Sequence, residues 1–328
     1  MNIEAIMADA CALCTSLVTS GVVLLFTYTA VTAIRALLDR VLIDRLSERA
    51  VLITGCDCGF GHELALTLLA SGVPVFAGCL TDRGACGLRE KSAKLSGKLE
   101  TVLLDVTKQK SVDEAVEFVQ SKTDSLWGIV NNAGVAGPSA PIEWLTTDDY
   151  EHCLAVNAIG TIRVTRAFVP LVKRTRGRIV TAGSVCGRIA LPLVSAYSLS
   201  KFAVGAFCDA LRGEMVPWGV TVCLLEPGFF TTGMLDAQRL NADQDRCWNA
   251  LSKTVQQQYG LVFHEKSREV RSATLLDWMS RDIGKVVNAY FYALFSRFPR
   301  ARYQDFILRM IVKFRAAPLP ADAVISSY

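Results

Sequence analysis

The sequence predicts an α/β fold, a doubly wound parallel sheet in a three-layer α/β/α arrangement, preceded by a hydrophobic N-terminal helix. From Ala50 onwards, short β-rich runs alternate with helical patterns, which is typical of parallel sheets with helices on both faces. A glycine-rich turn follows the first run, and an uncharged stretch precedes the whole pattern. A chain of 328 residues could form two domains. No repeat or linker interrupts the alternation, so we predict a single domain over residues 46–328.

The composition excludes several classes of protein. Hydrophobic residues make up 51% of the chain and charged residues 20%, which is too apolar for a disordered chain. A net charge of +4 without a long basic block lacks the electrostatic footprint of nucleic-acid binding. The 11 cysteines are odd in number, so at least one stays unpaired, and we predict a reducing compartment. The three histidines lie far apart and no double CxxC pattern occurs, so no metal site is predicted.

Residues 1–45 are predicted to form a membrane anchor and a juxtamembrane segment. The stretch from Ala10 to Ile34 carries no charge, and as a helix it would span roughly 37 Å, more than the ~30 Å hydrocarbon core of a bilayer. The alternatives are a cleaved signal peptide and a helix packed on the globular domain. Glu4 and Asp9, with no Lys or Arg before the stretch, disfavour a signal or transit peptide.

Positive charge follows the uncharged stretch instead of preceding it. By the positive-inside rule, this asymmetry places the rest of the chain on the cytosolic side of the membrane. The basic residues concerned are Arg35, Arg40, Arg45 and Arg49.

Six β-rich runs are predicted to be the strands of the sheet. Helical stretches lie between them, and such stretches cover both faces of a parallel sheet. The runs are Ala50–Thr54, Val73–Cys79, Thr101–Leu104, Gly128–Val130, Arg178–Thr181 and Val220–Leu225.

Two further segments follow the last predicted strand. Residues Leu235 to Tyr292 are polar and helical in texture. Residues Tyr290 to Phe314 mix aromatic and aliphatic side chains with Arg and Lys, which predicts an amphipathic tail that rests on the membrane. The alternative is a terminal helix and strand packed on the core.

The first predicted strand ends in a Gly-x-x-x-Gly-x-Gly turn, formed by Gly55, Gly59 and Gly61, and the turn opens a helix. Glycine allows backbone to approach a diphosphate closely, and the helix N-terminus supplies N–H groups to the anion. The strand-turn-helix context favours a Rossmann-type dinucleotide site over an accidental glycine-rich turn.

Polar landmarks follow the later strands. Asn131–Gly134 follows the fourth run, Ser184 precedes Tyr197 by thirteen residues, and Lys201 follows Tyr197 by four. Residues four apart share one face of a helix, and a protonated lysine beside a phenol lowers the phenol pKa from about 10. Tyr197 is therefore predicted to act as a general base near neutral pH. The remaining landmarks are Asn157, Pro227, Gly228 and Thr232.

Taken together, these residues resemble the short-chain dehydrogenase/reductase family over Ala50 to Thr232. The phrases at residues 53–61, 126–134 and 217–220 look like one branch of that family. The branch holds microsomal retinol dehydrogenases, 17β- and oxidising 11β-hydroxysteroid dehydrogenases and 3-hydroxybutyrate dehydrogenase. The segment 137–144 looks most like the retinol and steroid members, and an N-terminal anchor fits them too.

The resemblance implies a catalytic group of Ser184, Tyr197, Lys201 and Asn157. Tyr197 would take the hydroxyl proton while hydride leaves the carbinol carbon, and Ser184 would hold the substrate oxygen. Lys201 would hold the nicotinamide ribose, and Asn157 would keep a water that links Lys201 to solvent. The implied cofactor-binding residues are Gly55, Asp57, Gly59, Phe60, Gly61, Asp105, Val106, Asn132, Ala133, Gly134, Tyr197, Lys201, Pro227, Gly228 and Thr232. One departure is Gly183, where relatives commonly carry a second serine.

NAD is the predicted cofactor, in preference to NADP. A 2′-phosphate needs Arg or Lys near the end of the second strand, whereas that end reads Gly78 to Asp82 and the glycine turn carries Asp57. The acidic residue usual at Cys79 or Leu80 is absent, so Asp82 or Arg83 could also reach the ribose. Asp105 matches the family position that touches adenine, and the alternative role for it is a helix N-cap.

The predicted function is that of a membrane-anchored, NAD-dependent oxidoreductase of a lipophilic alcohol, a retinoid or a hydroxysteroid. The endoplasmic reticulum with a cytosolic catalytic domain is the predicted location, and the mitochondrion is the alternative. A 3-hydroxybutyrate-type small-acid dehydrogenase and a non-catalytic lipid- or cofactor-binding protein are the other functions considered. The family also implies a substrate lid at about residues 235–292 and a possible homodimer.

Overall fold

The computed structural model describes residues 3–304, with side chains from residue 15 onwards except at positions 17 and 274–276. Its central sheet is entirely parallel, with strand order β3-β2-β1-β4-β5-β6-β7. The predicted fold class is thereby confirmed, with one strand more than the sequence indicated. The strands are β1 Val51–Thr54, β2 Val75–Cys79, β3 Leu99–Leu103, β4 Gly128–Asn131, β5 Arg178–Ala182, β6 Thr221–Glu226 and β7 Arg302–Gln304.

Helices cover both faces of the sheet, and two hydrophobic cores result. Alternate residues of β1 point to opposite faces, so Val51 and Ile53 join one core while Leu52 joins the other. Helices α2, α3 and α10 pack on the first face, and α4, α6 and α7 pack on the second. The helices are α1 Ile3–Asp39, α2 Gly59–Ala70, α3 Asp82–Ser92, α4 Gln109–Gln120, α5 Thr147–Leu154, α6 Thr161–Thr175, α7 Ser195–Met215, α8 Ala237–Asn249, α9 Lys253–Trp278 and α10 Gly284–Phe295.

The strand order reverses at β1, which pairs with β2 on one side and with β4 on the other. Open parallel sheets bind ligands at such a switch point, outside the carboxyl ends of the strands. The fold therefore predicts a ligand site at the loops that follow β1 and β4.

The segment after residue 284 packs on the core, contrary to the expectation of a tail on the membrane surface. Tyr290 and Phe295 are fully buried, and Tyr303 of β7 pairs with Leu225 of β6. The basic residues of this segment bind carboxylates, as in the ion pair between Arg302 and the buried Glu226. The membrane-surface prediction is wrong for residues 290–304, and the alternative of a terminal helix and strand is confirmed there. Residues 305–314 lie outside the described part of the chain.

The N-terminal helix α1 stands clear of the domain along most of its length. The span Val18–Asp39 has a mean hydropathy of 1.8, and no residue of its apolar 18-residue window is buried, so these residues do not form a helix packed on the core. Among its described side chains, contacts with the domain lie at the C-terminal end, where Asp39 is buried. There Asp39 pairs with Arg300, and the Ile43 N–H donates to the Phe295 carbonyl at 2.9 Å.

Candidate active site

A cavity of about 710 Å³ opens at the carboxyl ends of the strands. It brings together the loops after β1, β4, β5 and β6 with the start of α7. Most of the predicted site residues line it, and Gly61 and Asn157 are the exceptions. The predicted residues that do so are Gly55, Asp57, Gly59, Phe60, Asp105, Val106, Asn132, Ala133, Gly134, Ser184, Tyr197, Lys201, Pro227, Gly228 and Thr232.

The glycine turn after β1 is built so tightly that side chains are excluded. Gly55 and Gly59 have φ of +71° and +66°, the left-handed region that favours glycine. A Cβ on Gly61 would lie 2.4 Å from both the Asn132 Nδ2 and the Gly55 carbonyl oxygen. Asn132 Nδ2 in turn donates to the Thr54 and Gly55 carbonyls at 3.0 and 3.1 Å. Gly61 does not line the cavity, but its lack of a side chain allows Asn132 and the glycine turn to pack this closely.

The N-terminus of α2 faces the cavity without a side-chain cap. Cys58 precedes the helix, and its side chain accepts no hydrogen bond from it. Backbone N–H groups at such a helix start are available to an anion, and the helix dipole favours negative charge there. A glycine cradle at an uncapped helix start fits the diphosphate of a dinucleotide.

Asp57 lies at the end of β2, although it belongs to the glycine turn. Its carboxylate accepts hydrogen bonds from the Leu80 N–H at 2.8 Å, the Thr81 N–H at 3.0 Å and the Thr81 hydroxyl at 2.8 Å. Asp57, Leu80 and Thr81 line the cavity. The sequence has no acidic residue at Cys79 or Leu80, where one is usual. In the structure, the Asp57 carboxylate of the glycine turn lies at this end of β2 instead.

Asp105 shapes the loop after β3. Its carboxylate accepts from the Thr107 N–H at 2.9 Å and pairs with Lys108 at 3.1 Å. Helix α4 begins later, and its N-cap position is occupied by Lys108. The helix N-cap role considered for Asp105 is therefore wrong, and the residue stabilises a turn at the cavity wall.

Tyr197 and Lys201 lie one turn apart on α7, as their spacing predicts. The Lys201 Nζ donates to the Ala182 carbonyl at 2.9 Å and lies 5.6 Å from the centroid of the Tyr197 ring. Ser184 lines the same cavity, and its hydroxyl accepts from the Cys186 N–H at 3.1 Å. The three side chains form one cluster inside the cavity.

Burial dominates the titration of this cluster. It raises the pKa of Tyr197 above the usual value for a phenol, and the Ser184 hydroxyl only partly opposes the effect. Burial also lowers the pKa of Lys201 to about 8. The predicted fall in the Tyr197 pKa is therefore wrong in this arrangement, because desolvation of the buried phenol is the largest influence on it.

Asn157 lies in a short π-helical segment, Ala155–Gly160, between α5 and α6. Its amide oxygen accepts from the Val135 N–H at 2.8 Å, and its Nδ2 donates to the Val135 carbonyl and to the Ser200 hydroxyl, both at 2.9 Å. Asn157 therefore clamps the loop after β4 to α7, next to Lys201. Ser200 and Val135 carry no sequence signal that could have identified them. The water expected at Asn157 stays a prediction.

The segment after β6 supplies cavity residues that the sequence did not single out. They come from the loop before α8, from α8 itself and from α9: Met234, Leu235, Arg239, Leu240 and Arg271. Trp144 and Trp248 pack on each other with ring centroids 5.0 Å apart. Neither of these tryptophans lines the cavity.

Known proteins share both the sequence pattern and the architecture. The family described as short chain dehydrogenase matches residues 49–243. The chain is 41% identical over 310 residues to 3beta-hydroxysteroid dehydrogenase dhs-16 from Caenorhabditis elegans, covering 85% of this chain and 79% of that protein. It is 40% identical over 275 residues to retinol dehydrogenase 16 from Mus musculus, covering 83% and 85%. A short-chain dehydrogenase from Streptomyces avermitilis has the same fold, with a TM-score of 0.65 and 22% identity over 82% of this chain and 94% of that one.

Proposed function

The chain belongs to the short-chain dehydrogenase/reductase family, and we propose that it interconverts a retinoid or hydroxysteroid alcohol and its carbonyl with NAD. The enzyme class, an oxidoreductase of alcohols and carbonyls, follows from the family. The cluster of Ser184, Tyr197 and Lys201 in one cavity with the glycine turn supports the chemistry. The names of the two relatives support the lipophilic substrate class.

Each residue of the cluster has a part in this chemistry. A nicotinamide cofactor, when bound, supplies the hydride acceptor for alcohol oxidation. Tyr197 takes the proton of the substrate hydroxyl, and Ser184 holds the substrate oxygen by a hydrogen bond. The Lys201 ammonium favours the phenolate form of Tyr197 by its charge. Asn157 keeps the loop after β4 against α7, so that both walls of the cavity hold their positions.

The raised pKa of Tyr197 predicts opposite pH profiles for the two directions of reaction. Oxidation needs the phenolate, whose fraction rises about tenfold per pH unit below the phenol pKa, so kcat/KM for oxidation should rise with pH. The rise should flatten above about pH 8, where Lys201 loses its charge. Reduction uses the protonated phenol, which already predominates, so its kcat/KM should stay level near neutrality. Steady-state rates in both directions test this, and oxidation that slows as the pH rises towards 8 would contradict it.

NAD preference rests on the position of Asp57 beside Leu80 and Thr81. A carboxylate there repels a 2′-phosphate and accepts hydrogen bonds from free ribose hydroxyls. Asp57→Asn keeps an oxygen for the Leu80 N–H but removes the charge, so the NADP-to-NAD ratio of kcat/KM should rise about tenfold. Asp82→Asn removes a charge from the start of α3, outside the cavity lining, and should leave the ratio unchanged. Equal ratios in the Asp57 variant and the wild type would refute the assignment.

We also propose that α1 anchors the enzyme in the endoplasmic reticulum membrane with the catalytic domain in the cytosol. Leu24 and Leu25 are 70% and 64% exposed along its apolar span. Among the described residues, the other apolar stretch long enough to span a membrane, Thr147–Thr175, is half buried inside the domain. A charge at the centre of a span costs about 3 kcal/mol. Replacing both leucines by arginine should therefore release the protein in alkaline carbonate, whereas replacing both by isoleucine should not.

The decisive experiment for the function uses the full chain purified in detergent. NAD and NADP are each offered with retinol, a panel of hydroxysteroids and 3-hydroxybutyrate, and cofactor reduction is followed. We expect NAD-linked turnover of a retinoid or a hydroxysteroid. Turnover of 3-hydroxybutyrate alone would transfer the enzyme to the small-acid class, and no turnover of any alcohol would contradict the proposed substrates.

A further inference from the structure

Two arginines from the helices that follow β6 line the cavity. Arg271 comes from α9 and Arg239 from the first turn of α8. The same segment also contributes the apolar residues Met234, Leu235 and Leu240 to the lining. Arg239 is exposed, whereas Arg271 is half-buried, and a partly buried charge is costly to desolvate unless it has a partner.

Arg271 is held in place by neutral side chains. Its guanidinium donates to the amide oxygens of Asn241 and Gln244 on α8. Gln244 is 1% exposed, and its Nε2 donates to the Ser267 hydroxyl at 2.7 Å. These bonds orient the guanidinium but do not neutralise it.

One carboxylate adjacent in sequence to Gln244 already has partners. Asp245 pairs with Arg268, and its Oδ1 lies 3.1 Å from the His264 Nε2. Within residues 15–304, neither Arg271 nor Arg239 forms an ion pair. Burial and the charge of Arg268 lower the pKa of Arg271, and the charge of Asp245 only partly opposes them.

The two arginines reach the cavity through the segment that follows β6. The chain passes the glycine turn at Thr232, whose Cβ lies 3.8 Å from an ideal Cβ on Gly59. The Met234 Cε lies 3.7 Å from an ideal Cβ on Gly134, and the Asn157 Oδ1 lies 3.2 Å from the same position. Helix α8 begins three residues after Met234. The carboxylates of Asp57 and Asp105, by contrast, line the cavity from the loops after β1 and β3.

We propose that Arg271, assisted by Arg239, binds an anionic oxygen group of the substrate, such as a carboxylate or a sulfate, remote from the reacting hydroxyl. This inference rests on the proposed function and narrows its substrate to an amphipathic alcohol with an acidic end. A guanidinium presents paired donors to a carboxylate or a sulfate, and the surrounding apolar residues accommodate the lipophilic body. The diphosphate of the cofactor has its own cradle at the N-terminus of α2.

The test compares two probes that differ only in charge, a hydroxysteroid with a side-chain carboxylate and its methyl ester. The full chain in detergent is assayed for kcat/KM, and the dissociation constant of each probe is measured in the presence of NADH. We expect the wild type to prefer the acid and Arg271→Met to lose about 10- to 100-fold of that preference. Arg271→Lys should retain part of it. Lys253→Met removes a charge from the same helix, outside the cavity lining, and should leave the preference unchanged.

Two results would overturn the proposal. One is an acid-to-ester ratio that Arg271→Met does not change. The other is a loss of kcat/KM that is equal for the acid and the ester and is accompanied by weaker NADH binding. That result would assign Arg271 to the cofactor diphosphate. The binding measurement does not depend on turnover, so charge-selective binding without catalysis would reject the proposed oxidoreduction of such alcohols while keeping the anion site.

Discussion

Replacement of Tyr197 by phenylalanine is expected to lower kcat for alcohol oxidation by about 10²- to 10⁴-fold. The substitution removes only the hydroxyl that accepts the substrate proton, and the ring can keep its place beside Lys201 and Ser184. The measurement is kcat with a substrate identified in the alcohol panel, together with the NADH dissociation constant as a check on the fold and the cofactor site.

Tyr150→Phe is the matched control for this variant. The Tyr150 hydroxyl lies 2.6 Å from the Ser195 Oγ at the start of α7, and Tyr150 does not line the cavity. Its loss should leave kcat near that of the wild type. If Tyr197→Phe turned over substrate as fast as the wild type, Tyr197 would not be the proton acceptor.

Replacement of Gly61 by alanine is expected to weaken NADH binding by about 10- to 100-fold and to destabilise the fold by about 1–3 kcal/mol. The new methyl group would lie 2.4 Å from the Asn132 Nδ2 and the Gly55 carbonyl oxygen. Relief of the clash must move the Asn132 amide, the glycine turn or the start of α2, and each of these supports the cofactor cradle. NADH titration and thermal unfolding measure the two effects.

Gly213→Ala supplies the control for the glycine substitution. Gly213 lies within α7, and a Cβ built on it would meet nothing within 4 Å. Alanine is favoured over glycine in a helix interior by about 1 kcal/mol, so this variant should unfold at the same or a higher temperature and bind NADH normally. Normal NADH binding by Gly61→Ala would show that the turn can yield without loss of the cradle.

The sequence predicted well those features that depend on residues close together in the chain. The helical spacing of Tyr197 and Lys201 places both side chains on one face of α7, and the structure keeps them there. The glycine turn likewise follows from local backbone requirements, because Gly55 and Gly59 adopt φ values that other residues avoid. The pKa of Tyr197 was predicted in the wrong direction, because desolvation depends on how the whole fold buries a group.

The tail shows why composition alone can mislead. Aromatic residues interspersed with arginines suit a membrane surface and a buried helix followed by an edge strand equally well. The choice depends on partners far away in the chain. Arg300 meets Asp39, and Arg302 meets Glu226, so the charges that suggested lipid headgroups are matched by carboxylates of the domain.

The sequence by itself determined the parallel α/β fold, the family, the glycine cradle and the spacing of the catalytic side chains, because periodicity and short motifs encode local geometry. Only the tertiary structure decided that Asp57 reaches the end of β2, that Asn157 clamps Val135 to Ser200, and that Arg271 lines the cavity with the amide oxygens of Asn241 and Gln244 as its hydrogen-bond acceptors. Each of these depends on contacts between residues more than twenty positions apart. Such contacts arise from the packing of whole elements, which no local pattern specifies.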